Sequence, residues 1–175
     1  MAMSTPSITC TFIGDSGVGK STLLETYNNH ILPTIGVNMV CYQSENLLLR
    51  CWDTSGQSKF KSVVRMFANK CDVVVYVFDA SSEDSFQSIV NHYCEILRVK
   101  HRQYFIVCNK IDKVQHHVVS KYREIVKRDA KHVVFLECNA LNDGKKTMDI
   151  IAQMVEELPV VLQTQVVSGK CCLLM

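Results

Sequence analysis

The octet Gly14-Asp15-Ser16-Gly17-Val18-Gly19-Lys20-Ser21 decides how the chain is read. It satisfies the pattern G-x-x-x-x-G-K-S/T in full, follows an apolar run at Ser7–Ile13 and opens a helical pattern, the context that a phosphate-binding loop requires. Three of the seven glycines of the chain fall within it. They let the backbone wrap so that the N–H groups from Asp15 to Thr22, at the start of the helix, face an anion. Lys20 is positioned to reach the β- and γ-phosphates of a nucleotide, and the Ser21 hydroxyl to bind Mg²⁺.

On either side of the octet, apolar runs rich in β-branched residues alternate with segments of helical periodicity, the pattern of a parallel sheet with crossover helices. Strands are predicted at Ser7–Ile13, Val37–Ser44, Asn46–Trp52, Val73–Asp79, Gln103–Cys108 and Val133–Glu137. Helices are predicted at Gly19–Asn28, Phe60–Asn69, Asp84–Val99, Val119–Asp129 and Lys146–Leu158. Only the second and third strands are joined tightly, near Ser44 and Glu45, so they form the one antiparallel hairpin. In the third helix Phe86, Ile89, Val90, Tyr93, Ile96 and Leu97 recur at three- and four-residue steps and make one core-facing stripe.

Two further elements sit at strand ends. In Trp52-Asp53-Thr54-Ser55-Gly56-Gln57 a carboxylate, Asp53, faces the phosphate loop and can hold Mg²⁺ through water. Gly56 has no side chain to keep its N–H from a γ-phosphate, and Gln57 is placed to orient an attacking water. In Asn109-Lys110-Ile111-Asp112, the Asp112 carboxylate can accept two hydrogen bonds from N1 and N2 of guanine, an edge that adenine does not offer.

The 175 residues fit one domain, 1–160, with a short polar tail at 161–175. Nineteen Lys and Arg against 17 Asp and Glu give a net charge of +2, too small to suggest a counterion-release grip on nucleic acid. No apolar run approaches the ~20 residues of a bilayer-spanning helix, and no signal-peptide pattern opens the chain, so a cytosolic pool is expected. Nine cysteines, an odd number without a C-x-x-C pair, read as seven buried thiols and a separate pair, Cys171 and Cys172. Cys172-Leu173-Leu174-Met175 forms a prenylation box favouring farnesyl, with Cys171 open to palmitoylation; geranylgeranylation of both cysteines is the alternative. Between Arg98 and Lys131 ten basic residues face three acidic ones, a segment suited to anionic lipid.

With the three nucleotide elements in order, the chain resembles the Ras superfamily of small GTPases from about Ile8 to Leu158, closest to the Rab branch. The phosphate loop and Thr34-Ile35-Gly36-Val37 are the residues that carry this likeness. The resemblance implies an α/β P-loop NTPase fold: a six-stranded, mostly parallel sheet with one antiparallel hairpin strand and about five helices on both faces. It also implies that Thr34 binds Mg²⁺ and the γ-phosphate, within a first switch at about His30–Gly36; a second switch runs from Ser55 to about Val64. Glu137-Cys138-Asn139-Ala140-Leu141 occupies the last guanine-binding loop, where Asn139, Ala140 and Leu141 meet the base. GTP, GDP and Mg²⁺ are the implied ligands. Exchange factors, GTPase-activating proteins and effectors are the implied partners of a monomer on the cytoplasmic face of a membrane.

The sequence departs from the family's pattern at several points. Thr34 follows Lys20 after only 14 steps, so the usual aromatic over the guanine face is missing, with His30 or Tyr27 as substitutes. Ser55 and Ser58 replace Ala and Glu around Gln57, Asn139 replaces Ser, and Leu141, in place of Lys, is similar to Rho proteins. The branch's surface aromatic triad becomes Met39, Trp52 and Phe67. These departures keep a second function class in view, a nucleotide-binding module that hydrolyses weakly or not at all, while an adenine-specific phosphate-loop kinase is a third.

Overall fold

The structure, a computed structural model, describes residues 6–25, 34–44, 46–93 and 103–157. Six strands form one sheet: β1 (Ser7–Ile13), β2 (Val37–Gln43), β3 (Leu48–Thr54), β4 (Val73–Asp79), β5 (Gln103–Asn109) and β6 (Val133–Glu137). Their order is β2-β3-β1-β4-β5-β6. β2 runs antiparallel to β3 and every other pairing is parallel. Five helices complete the described chain: α1 (Lys20–Leu24), α2 (Lys61–Lys70), α3 (Glu83–Tyr93), α4 (His116–Asp129) and α5 (Ala140–Glu156).

Strand alternation divides the core in two. Ile8, Cys10 and Phe12 of β1 with Val73, Val75 and Val77 of β4 face one side, where they meet Leu23 of α1 and Met148, Ile151 and Val155 of α5. Ile13, Val74, Tyr76 and Phe78 face the other side, against Val64 of α2, Phe86 of α3 and Tyr122 of α4. Every residue from Val73 to Phe78 is consequently buried, as expected of a central strand covered on both faces. At the second face the rings of Phe78, Phe86 and Tyr122 pack with centroids 4.6–5.1 Å apart.

The elements predicted from the sequence are present, with shifted ends. β3 begins at Leu48 rather than Asn46 and extends to Thr54, because Asp53 and Thr54 pair with Asn38 and Val37. α4 starts at His116, three residues early, and α5 starts at Ala140, six residues early. Asn139 caps α5 by accepting from Leu141 N–H, and Gly144 is buried within its second turn. The later parts of the predicted first and third helices, Tyr27, His30 and the tail with Cys171 and Cys172 lie outside the described residues. Five of the expected structural thiols are buried, whereas Cys41 on β2 is exposed. Among the described residues no helix is long and apolar enough to cross a membrane.

Candidate functional site

In an open sheet, ligands settle beyond the carboxyl ends of the strands where the strand order reverses. Here that point is β1, since the chain leaves it first toward β3 and then toward β4. The phosphate loop turns from β1 into α1 at this edge. Gly19 takes φ 101°, and a Cβ added there would lie 2.3 Å from Asn109 Nδ2, so both conformation and space call for glycine. A cleft of about 300 Å³ opens beside the loop, lined among others by Gly19, Lys20, Ser21, Thr34, Gly56 and Gln57.

Lys20 is 5% exposed, and its Nζ donates to the carbonyls of Gly14 and Asp15 at 2.8 Å each. Two of the three ammonium protons are thereby fixed on the loop, leaving one for a ligand in the cleft. Burial pulls the Lys20 ammonium down to about 8, against the opposing attraction of Asp53 and Asp15. An anion in the cleft would favour its charged form.

Three oxygens converge at the rim. Ser21 Oγ and Thr34 Oγ1 donate to Asp53 Oδ2 at 2.6 and 2.7 Å, and the two hydroxyl oxygens lie 2.9 Å apart. The other carboxylate oxygen, Asp53 Oδ1, is buried without a partner. Two hydroxyls and a carboxylate are hard donors of the kind Mg²⁺ selects, and the orphaned oxygen is an acceptor awaiting a cation or its water. These residues fit the ion. Among the described residues no three His, Cys, Asp or Glu side chains gather as a closed cage. An ion held by these residues would complete its shell with phosphate oxygens and water.

The short connection from Lys20 still brings Thr34 to Ser21. It is held there partly by Ser55 N–H, which donates to Gly36 O at 2.8 Å and ties the two expected switches together. Gly56 rests on the phosphate loop: a Cβ there would fall 2.2 Å from Ser16 N. Gln57 is exposed at the mouth of the cleft, and its N–H reaches Ser55 Oγ at 3.4 Å. Ser55 thus holds both ends of this turn, a role that the sequence reading missed.

On the other flank Asn109 is buried between two loops. Its Nδ2 donates to Val18 O at 2.8 Å and its Oδ1 accepts from Ala140 N–H at 2.9 Å. It thus acts first as a brace, and Ala140, expected to meet the base, gives its N–H to Asn109 instead. Lys110, at φ 60°, reaches Gly17 O and Asp79 Oδ2, both at 2.7 Å. Burial would raise the Asp79 carboxyl, but hydrogen bonds from Lys110 and Ser81 outweigh this and hold it below the usual range. A lone carboxylate ending a buried strand was the available sign of this partner. Asp112 is exposed in a 3-10 turn at Ile111–Lys113, and Ile111 N–H donates to Cys138 O, so the Asp112 and Asn139–Leu141 loops lie side by side. Leu141 stands out of the surface, 75% exposed.

Away from the cleft, Met39 lies opposite Trp52 in the β2–β3 pairing, and the Trp52 and Phe67 rings are 4.8 Å apart. The three expected surface residues are therefore adjacent.

A crevice with an N–H-rich loop on one side and two braced loops on the other defines the class, a phosphate-loop nucleotide-binding domain. Residues 9–159 match the sequence model of the Ras family, and the chain belongs to that family of small GTPases. It is Rab-like. It is 30% identical to the Ras-related protein RABC1 of Arabidopsis thaliana over 158 residues, covering 83% of this chain and 72% of that one. Human Ras-related protein Rab-30 is 27% identical over 159 residues, with 83% and 78% covered. The GTP-binding protein ypt1 of Schizosaccharomyces pombe is 32% identical over 139 residues, with 73% and 68% covered. The fold matches the Arl6 BBS3 small GTPase from Trypanosoma brucei, solved with the nucleotide analogue GppNp. The TM-score is 0.68 and the identity 18%, with 87% of this chain and 99% of that one covered.

Proposed function

We propose that the chain is a switch that binds GTP with Mg²⁺, hydrolyses it to GDP and phosphate, and acts at a membrane, in vesicle trafficking or signalling. The observation that carries this reading is the meeting of Ser21, Thr34 and Asp53 beside the phosphate loop, with Asp53 Oδ1 unpartnered. Mg²⁺ held by Ser21 and Thr34, with Asp53 acting through water, would neutralise phosphate charge. Lys20 and the loop N–H groups bind the β- and γ-phosphates, while Gln57 orients water for in-line attack. Asp112 selects guanine, with Asn109, Lys110, Asn139, Ala140 and Leu141 framing its pocket.

Loss of the γ-phosphate removes the ligand that Thr34 and Gly56 share, so the Gly36–Ser55 link loosens and effectors leave. With no arginine lining the cleft among the described residues, hydrolysis is slow alone, and an activating protein supplying one accelerates it by about 10³–10⁵. The closeness of Thr34 to Ser21 favours this reading over a non-hydrolysing module. Lipid on Cys171 and Cys172 provides the membrane attachment, which labelling with prenyl analogues and C171S and C172S variants tests.

The metal assignment is tested by following fluorescent GDP release before and after chelation of Mg²⁺. Release accelerates at least about tenfold in the parent and becomes chelator-insensitive in Asp53→Ala. Equal release with and without chelator contradicts the reading.

A further inference from the structure

Glu25 caps the C-terminal end of α1, and its N–H donates to Ser21 O at 2.7 Å. The two residues are therefore one helical turn apart on the same side of the helix. Helical side chains lean back toward the N-terminus, so the longer Glu25 side chain can extend along α1 toward Ser21. The rise between them is about 6 Å, a span that a glutamate and one water cover. The sheet brings Asp53 to the same place. Across the β2–β3 pairing Asn38 stands opposite Asp53, Val40 opposite Cys51 and Tyr42 opposite Leu49. The last four pack into the core on the α1 side, so by strand alternation Asn38 and Asp53 also face α1.

Leu24 and Glu25 line, with residues 38–43, a cleft of about 560 Å³ between the end of α1 and β2. Ser21, Glu25, Asn38 and Asp53 thus border one seam between helix and sheet. Two carboxylate oxygens in it, Asp53 Oδ1 and Glu25 Oε2, are buried without a hydrogen-bond partner. Among the described residues no ion pair involves either side chain. Burial, and then repulsion from Asp53, raises the Glu25 carboxyl above its usual range. Buried charges are as a rule paired or bound to metals, and a cation beside Asp53 relieves both groups at once.

We propose that Glu25 is a positioning residue for the divalent cation of the nucleotide cleft: its carboxylate accepts a hydrogen bond from a water bound to the ion, so that two carboxylates, Asp53 and Glu25, hold the ion's water shell. The inference rests on the Mg²⁺ reading of Ser21, Thr34 and Asp53 and adds a residue to it. Outer carboxylates orient the groups that touch a metal and raise its affinity. The second negative charge lets the site keep its ion when free Mg²⁺ is scarce.

The test uses the full chain loaded with GDP and freed of excess nucleotide, titrated with Mn²⁺ and followed by the paramagnetic resonance signal of the free ion. Glu25→Gln, which keeps the shape and removes the charge, binds Mn²⁺ about tenfold more weakly than the parent, and Asp53→Ala more weakly still. In chelator Glu25→Gln melts at or above the parent, because it removes an uncompensated buried charge, and it gains less from added Mg²⁺. A Mn²⁺ affinity of Glu25→Gln within about twofold of the parent, with Asp53→Ala weakened, overturns the role of Glu25 and leaves the metal reading standing. A parent that binds no more tightly than Asp53→Ala overturns both. A lower melting temperature of Glu25→Gln in chelator assigns the carboxylate to a contact within the protein and overturns the proposal as well.

Discussion

Replacing Asn109 by alanine should destabilise the whole fold before it alters base recognition. The side chain is 1% exposed and both of its polar atoms are used, Nδ2 on Val18 O and Oδ1 on Ala140 N–H. Alanine strands a buried carbonyl and a buried N–H, each at about 1–3 kcal/mol, so the expected loss is about 2–6 kcal/mol. Against a total stability of about 5–15 kcal/mol that is a large fraction. At roughly 2–4 °C per kcal/mol for a chain of this size, the melting temperature falls by about 5–20 °C. Asn109→Asp keeps the acceptor for Ala140 N–H but turns an oxygen toward Val18 O, so it also destabilises the fold. Thermal unfolding followed by circular dichroism, in nucleotide-free protein and in the GDP complex, measures the effect. If nucleotide-free Asn109→Ala melts within about 2 °C of the parent while GDP leaves faster, Asn109 serves the base and not the brace, and the reasoning is refuted.

Asp112→Asn should weaken GTP binding by about 10- to 100-fold and improve binding of xanthosine triphosphate, read by competition with fluorescent GDP; an unchanged preference contradicts guanine selection by this carboxylate. Gly56→Ala places a Cβ against Ser16 N and should hold the second switch off the phosphate loop. GDP affinity is then kept, while the change in Trp52 fluorescence on exchanging GDP for a GTP analogue is lost. That signal is readable because Trp52 is the single tryptophan and contacts Phe67 of α2. A fluorescence change equal to the parent's rules out the close approach.

The sheet was legible because its strands are mostly apolar runs separated by helical patterns, the clearest being the Val-rich β4. Val73–Asp79 and Val133–Glu137 occur as read, the first buried almost throughout and the second half-buried along its length. The ends were less so. The third strand was read as ending at Trp52, but pairing with β2 carries it on through Asp53 and Thr54, and cross-strand partners leave no local signal. The start of α5 was hidden by Asn142, Asp143 and Gly144, poor helix formers that a cap at Asn139 and burial of Gly144 override. In the site, the motifs located the phosphate loop and the Ser21–Thr34–Asp53 meeting. The brace at Asn109, the Lys110–Asp79 pair and the Gly36–Ser55 link join residues distant in sequence, so no spacing could announce them.

The central claim is that this cleft turns over its nucleotide. Single-turnover phosphate release from the GTP-loaded protein, started with Mg²⁺ and compared with Gln57→Leu, tests it most directly. The account predicts slow stoichiometric release by the parent and a rate at least about tenfold lower in the variant. No release by the parent, or equal rates in the two proteins, contradicts it.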